Sequence, residues 1–217
     1  MNRVDEMIDI IRSMSGSYSE YQVFSDWIQC MAIGIQNSCC MIHDRLWKQR
    51  EEDYLQIFNR HKNNRFPELT GLLQMELEEN ITDVLSEIYM KGKMGAKMTG
   101  QFFTPFHLSY LTASLGFDRD SCDEKGIYHM NEPSIGGGGM VIALARVMHE
   151  QGIDYQRRLK VVGQDLDWKG VYMSYCQLSL LGVNAVIVQG DTLAEPYLDG
   201  YPRERAFRTP VNMGILI

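Results

Sequence analysis

Apolar residues recur every three or four positions through the first part of the chain, as in the run from Met7 to Met14. This spacing places them on one face of an α-helix. Later stretches repeat it, with interruptions at residues 66–68 and at Gly71. The pattern predicts four or five amphipathic helices and no strand before residue 98.

The pattern changes close to residue 98. Residues 90–98 contain two glycines and three lysines without any apolar period, which is typical of a flexible connection. We therefore expect a helical N-terminal region over residues 1–98 and a second domain over residues 99–217.

Short apolar runs alternate with helical patterns in this second domain. Strands are expected to end near Glu132 and to cover residues 159–162 and 185–188. Helices are expected over residues 140–151 and 171–181. Strand–helix–strand alternation predicts an α/β fold built from parallel β-α-β units.

Composition and charge limit the class of protein and its possible partners. A hydrophobic content of 45% favours a folded chain, and a net charge of −7 means that DNA contact needs a local basic patch or a partner chain. Basic stretches at residues 91–97 and 201–208 equally suit a solvated surface. The five cysteines lack zinc-site or redox spacing. We therefore expect no metal site. Acids within the first thirty residues argue against a signal peptide or membrane span, so we expect a cytoplasmic protein.

The densest candidate motif is Glu-Pro-Ser-Ile-Gly-Gly-Gly-Gly at residues 132–139. It follows the first predicted strand and opens the next predicted helix. Glycines allow positive φ and close approach of a ligand, and a helix N-terminus offers free amides. Glu132 at the strand end suits a cationic ligand, although four glycines alone are equally typical of a flexible turn.

Two further acids follow the next two predicted strands. Asp165 is placed to accept hydrogen bonds from both hydroxyls of a ribose. Asp191 is placed to face the exocyclic amine of an adenine, although either acid alone could cap a turn. Because the carboxyl ends of parallel strands meet at one edge, Glu132, Asp165 and Asp191 together predict a single crevice.

With Gly-Gln-Phe-Phe-Thr-Pro at residues 100–105, these motifs resemble the adenine-N6 DNA methyltransferases, especially the modification subunits of type I restriction systems. The resemblance covers residues 87–193 and keeps the family's motifs in order, including Gly-Gln-Asp at 163–165 and Gly-Asp-Thr-Leu at 190–193. Residues 83–89 look like the helix that leads into the family's domain. The resemblance implies a class I methyltransferase, Rossmann-like parallel sheet, here truncated, and S-adenosylmethionine as cofactor.

The resemblance also implies which residues bind this cofactor. In the family, the segment containing Phe103, Thr104 and Pro105 closes over the methionine end. The complete implied set is Phe103, Thr104, Pro105, Glu132, Pro133, Ser134, Gly136, Gly138, Asp165, Leu166, Asp191 and Thr192.

The chain departs from the family after Asp191. The adenine-binding tetrapeptide [DNS]-Pro-Pro-[FYW] is absent, so catalytic residues stay unassigned, and residues 211–217 leave room for at most one more strand. A truncated sheet exposes an edge that a soluble protein must cover. We therefore expect a homo-oligomer or hetero-oligomer, with DNA bound through a partner chain.

Three functions are compatible with these patterns. The first is an adenine-N6 DNA methyltransferase that needs a partner chain for catalysis. The second is a catalytically inactive S-adenosylmethionine-binding module with a regulatory or decoy role, which the missing tetrapeptide favours. The third is a methyltransferase of small molecules or proteins, which the motif at residues 100–105 disfavours.

Overall fold

The protein is described by a computed structural model covering residues 2–61, 64–94, 102–197 and 202–215. Within these ranges five helices lie before residue 98, as the apolar period predicts. They are α1 (Arg3–Met14), α2 (Glu20–Cys39), α3 (Arg45–Arg60), α4 (Phe66–Glu79) and α5 (Val84–Lys91). The later helices are α6 (Phe106–Gly116), α7 (Gly139–Glu150), α8 (Tyr155–Arg158) and α9 (Trp168–Leu180).

Local capping explains where the N-terminal helices begin. Asn2, Ser19 and Asp44 precede α1, α2 and α3, and each side chain accepts a hydrogen bond from a backbone amide of the first turn. Asp83 does the same for α5 through the amide of Ser86. Such caps satisfy amides that have no partner inside the helix, so these boundaries follow from short stretches of sequence.

The sheet contains β1 (Tyr128–Glu132), β2 (Leu159–Asp165), β3 (Asn184–Gln189) and β4 (Ala206–Arg208), in that order. β1, β2 and β3 are parallel, which confirms the predicted β-α-β units. Because such crossovers are right-handed and the order runs in one direction, α7 and α9 lie on the same face. β2 and β3 are longer than predicted, so Asp165 is the last residue of its strand.

The one further strand for which the sequence leaves room is not formed by the described part of residues 211–217. Residues 210–214 form turns, and residues 216–217 lie outside the described ranges. Instead β4 pairs antiparallel with β3, with Phe207 opposite Ile187. The Phe207 ring is buried against Tyr175 and beneath the guanidinium of Arg50. This long-range burial, rather than the local apolar pattern, sets the position of β4.

The N-terminal helices and the sheet share one hydrophobic core, which runs from Val4 in α1 to Phe207 in β4. α2 and α5 both pack against α9. The division of the chain at residue 98 stays a prediction, and Gly100 and Gln101 lie outside the described residues. No helix within the described ranges has the length and apolarity needed to cross a membrane.

Candidate functional site

A pocket of about 380 Å³ lies where the chain leaves β1. Its walls come from the start of α5, the residues just before α6, the glycine segment 134–140 and the end of β2. Five residues of the predicted set line it. They are Phe103, Thr104, Ser134, Gly136 and Asp165.

The glycine segment has a backbone that few other residues allow. Gly136 and Gly138 have φ values of +53° and +93°, and Gly138 is the residue from which α7 begins. The Ile135 amide donates to the Gln164 carbonyl at 2.9 Å, which joins the segment to β2. Left-handed backbone at non-glycine residues is costly, so the segment depends on these two glycines.

Gly137 and Gly139 are required because neighbouring side chains crowd them, and not because of their φ values. A Cβ added to Gly137 would lie 2.0 Å from Ser86 Oγ, and one added to Gly139 would lie 2.8 Å from Asp83 Oδ2. The start of α5 therefore packs directly against the glycine segment. Together these glycines form a cradle that any larger side chain would fill.

Asp165 fixes the other side of this segment. Its Oδ2 accepts a hydrogen bond from the Gly136 amide at 2.7 Å, and its Oδ1 accepts one from the Asp167 amide at 2.9 Å. Burial raises the pKa of the Asp165 carboxyl, and these two hydrogen bonds oppose that shift. Asp165 thus shapes the pocket as well as lining it.

Phe103 forms the outer wall of the pocket. Its ring carbons would lie 3.2 Å from a Cβ on Gly136, and the ring packs edge-on against Tyr89 with centroids 5.1 Å apart. The Lys169 ammonium donates to the Tyr89 hydroxyl at 3.2 Å. Thr104, the residue after Phe103, is exposed. Pro105 lines an adjoining cavity of about 420 Å³.

The remaining predicted residues lie outside the lining of this pocket. Asp191 is exposed, and its Oδ1 accepts a hydrogen bond from the Leu193 amide as in a capped turn. The Thr192 hydroxyl donates to the Pro133 carbonyl at 2.6 Å, which joins the loops after β1 and β3. A cofactor role stays a prediction for these residues, for Glu132, Gly138 and Leu166, and for the five residues that line the pocket.

Sequence reasoning assigned no role to three buried polar residues of the pocket wall, which are Asp83, Ser86 and Ser109. Asp83 Oδ1 accepts a hydrogen bond from Gln177 Nε2 at 2.8 Å, and the same nitrogen donates to the Gly137 carbonyl. Asp83 and Ser86 belong to the helix that the family resemblance identified. Ser109 stands in the first turn of α6, where the sequence carries no signal.

The unsatisfied groups of the wall indicate a polar ligand. The hydroxyls of Ser86 and Ser109 are buried without a well-formed hydrogen bond to any described residue. Buried polar groups in native proteins are almost always satisfied by protein, water or ligand. A carboxylate at the end of β2, a glycine cradle and free hydroxyls together fit a nucleoside that carries a polar extension, as S-adenosylmethionine does.

Fold and pocket together define an α/β protein that binds a nucleotide-like cofactor. The profile of the family described as N-6 DNA Methylase matches residues 81–208, which is more than half of the chain. The chain belongs to this family of methyltransferases, whose cofactor is S-adenosylmethionine.

Two solved structures are similar over 91% of this chain. One is assigned to the class I S-adenosylmethionine-dependent methyltransferases of Listeria monocytogenes, with 11% identity, a TM-score of 0.48 and 56% of that chain covered. The other is a type I restriction-modification methyltransferase subunit from Streptococcus thermophilus, with 14% identity, a TM-score of 0.46 and 45% covered. This chain therefore spans about half the length of either protein. No curated protein matches the sequence significantly.

Proposed function

We propose that this chain is the S-adenosylmethionine-binding part of an adenine-N6 DNA methyltransferase whose catalytic site is completed by further polypeptide. The observation that carries the proposal is the pocket formed by Phe103, the glycine segment and Asp165, inside the stretch that matches the N-6 DNA methylase family. Bound there, the cofactor supplies a methyl group on its sulfonium. The residues of this chain hold the cofactor in a fixed orientation for displacement by the amine.

The path of the chain after β3 bears on which polypeptide supplies the residues that bind the target adenine. Gln164 Nε2 donates to the Glu195 carbonyl at 2.8 Å, and its Oε1 accepts from the Tyr197 amide at 3.0 Å. The described residues from 197 to 212 continue into β4 and do not line the pocket. In our proposal the residues that bind the target adenine therefore come from further polypeptide.

One edge of the sheet offers a place for that polypeptide. Within the described residues β1 pairs with β2 alone, so its other side presents free backbone groups. α6 packs against α7 and exposes three leucines at helical spacing, Leu108, Leu111 and Leu115. We propose that a further strand and helix cover this region, and that the added polypeptide carries the basic surface that DNA requires.

The leucine face of α6 is expected to drive self-association of the isolated chain. Replacing Leu111 and Leu115 by lysine should shift the chain toward monomer, because these side chains are 54% and 80% exposed and apolar contact would be lost. Leu55→Lys is the matched control, since Leu55 is 47% exposed on α3. Light scattering during gel filtration measures the change. Self-association that persists in the double variant would contradict the prediction.

Cofactor binding and methyl transfer test the proposed function separately. Calorimetric titration with S-adenosylmethionine should show saturable binding at one site. Transfer of labelled methyl groups to unmethylated DNA should appear once a completing polypeptide is added, and fully methylated DNA is the control substrate. Absence of binding by a folded chain would overturn the proposal.

A binding module without catalysis is the second candidate. It is favoured by the described residues from 197 to 212, none of which lines the pocket. Binding without transfer, even with a completing polypeptide present, would support this candidate over the enzyme. Both candidates require the same cofactor pocket.

A further inference from the structure

A buried polar cluster lies where α5 and α6 meet the start of α7. Asp83 is 4% exposed and Ser109 is fully buried. A Cβ added to Gly139 would lie 2.8 Å from Asp83 Oδ2 and 3.6 Å from Ser109 Oγ. Both side chains therefore converge on the first residue of α7, on a wall of the cofactor pocket.

The buried carboxyl of Asp83 lacks a cationic partner among the described residues. Its two well-formed hydrogen bonds both end on Oδ1, from the Ser86 amide and from Gln177 Nε2, and both donors are neutral. Burial raises the pKa of this carboxyl; the side chains of Gln177 and Ser86 oppose the shift, and no cationic group contributes. A buried carboxylate is stabilised by a cation at hydrogen-bond distance.

The hydroxyls provide the complementary half of the cluster. Ser109 Oγ has no hydrogen bond within the described residues, and Ser86 Oγ has only its contact with the Asp83 carboxyl, although both are buried in the pocket wall. The N-terminus of α7, a helix of twelve residues, adds a partial positive charge at the same place. Hydroxyl donors and a helix N-terminus suit a carboxylate, whereas Asp83 suits an ammonium group.

We propose that Asp83, Ser86 and Ser109 bind the α-amino-acid end of the cofactor, with Asp83 receiving its ammonium group and the serine hydroxyls its carboxylate. This inference rests on the proposed function, because it needs the same pocket to hold S-adenosylmethionine. It adds a determinant of specificity, since a nucleoside without an amino-acid end would leave the cluster unsatisfied. Asp165, which contacts Gly136, belongs to the nucleoside side of the pocket.

Paired ligands test the assignment. S-adenosylmethionine carries the amino-acid end, and 5′-deoxy-5′-methylthioadenosine keeps the nucleoside and sulfur without it. Asp83→Asn should weaken binding of the first ligand by about tenfold or more, because a hydrogen bond to a charged group is lost. Binding of the second ligand should stay unchanged. Calorimetry on the full chain measures both.

Asp44→Asn is the matched control, because Asp44 caps α3 as Asp83 caps α5 and does not line the pocket. It should leave both affinities unchanged. Equal weakening of both ligands in Asp83→Asn, or no weakening of either, would overturn the assignment. A folded wild-type chain that binds neither ligand would overturn the proposed function itself.

Ser109→Ala keeps the test decisive if Asp83→Asn fails to fold. Ser109 makes no hydrogen bond to a described residue, so its removal should not cost stability. We expect a severalfold loss of affinity for S-adenosylmethionine and none for methylthioadenosine. Unchanged affinity for both ligands would exclude Ser109 from the site.

Discussion

Gly137→Ala is expected to weaken S-adenosylmethionine binding by about tenfold or more and to destabilise the fold by about 1–3 kcal/mol. The added Cβ would lie 2.0 Å from Ser86 Oγ, so α5 and the glycine segment must separate. Gly137 has no positive φ, so the variant tests packing alone. Calorimetry measures the affinity, and urea denaturation measures the free energy of unfolding.

A second substitution makes this result specific. Ser86→Gly removes the hydroxyl that the new methyl group meets, so it should restore part of the stability of Gly137→Ala. Gly34→Ala is the control, because nothing lies within 4 Å of the added Cβ. Alanine in the middle of α2 should stabilise the chain by about 0.5–1 kcal/mol. An unaffected Gly137→Ala variant would contradict the close packing of α5 on the glycine segment.

Asp165→Ala is expected to weaken cofactor binding by about a hundredfold, because the loss combines two effects. The amides of Gly136 and Asp167 each lose an acceptor, so the glycine segment is held to β2 only by the bond from the Ile135 amide to the Gln164 carbonyl. The predicted hydrogen bonds to the ribose are lost as well, and hydrogen bonds to charged groups contribute about 1.5–3 kcal/mol each. Calorimetric titration of the variant with S-adenosylmethionine measures the effect.

Asp167→Asn separates stability from binding. Asp167 caps α9 by accepting from the Lys169 amide, and its carboxylate pairs with the Lys169 ammonium at 3.2 Å. It does not line the pocket, so its replacement should lower the free energy of unfolding and leave the affinity nearly unchanged. Asp165→Ala binding as tightly as the wild type would remove Asp165 from the site.

Elements governed by local geometry were predicted well. The five N-terminal helices follow from the period of apolar residues, and their starts follow from caps such as Ser19 and Asp44. The three parallel strands follow from apolar runs between helical stretches. These signals lie within a few residues of each other, so they need no knowledge of the tertiary fold.

Contacts between distant segments explain what the patterns missed. β2 continues through Gly163 and Gln164, which have low strand propensity. A Cβ on Gly163 would lie 2.3 Å from Ile135 Cδ1, and the Gln164 side chain holds residues 195 and 197. β4 likewise depends on burial of Phe207. Such strands are stabilised by neighbours that lie far away in the sequence.

Some residues of the candidate site were predicted from local sequence motifs, and others were found only from the tertiary structure. Phe103, Gly136 and Asp165 stand in motifs that the sequence displays, because a glycine turn and an acid after a strand are local features. Asp83 and Ser109 reach the same pocket only because α5 and α6 pack against the start of α7. A serine within a helix carries no pattern of its own. Its burial, and therefore the unsatisfied hydroxyl on which the ligand assignment rests, is decided by tertiary packing.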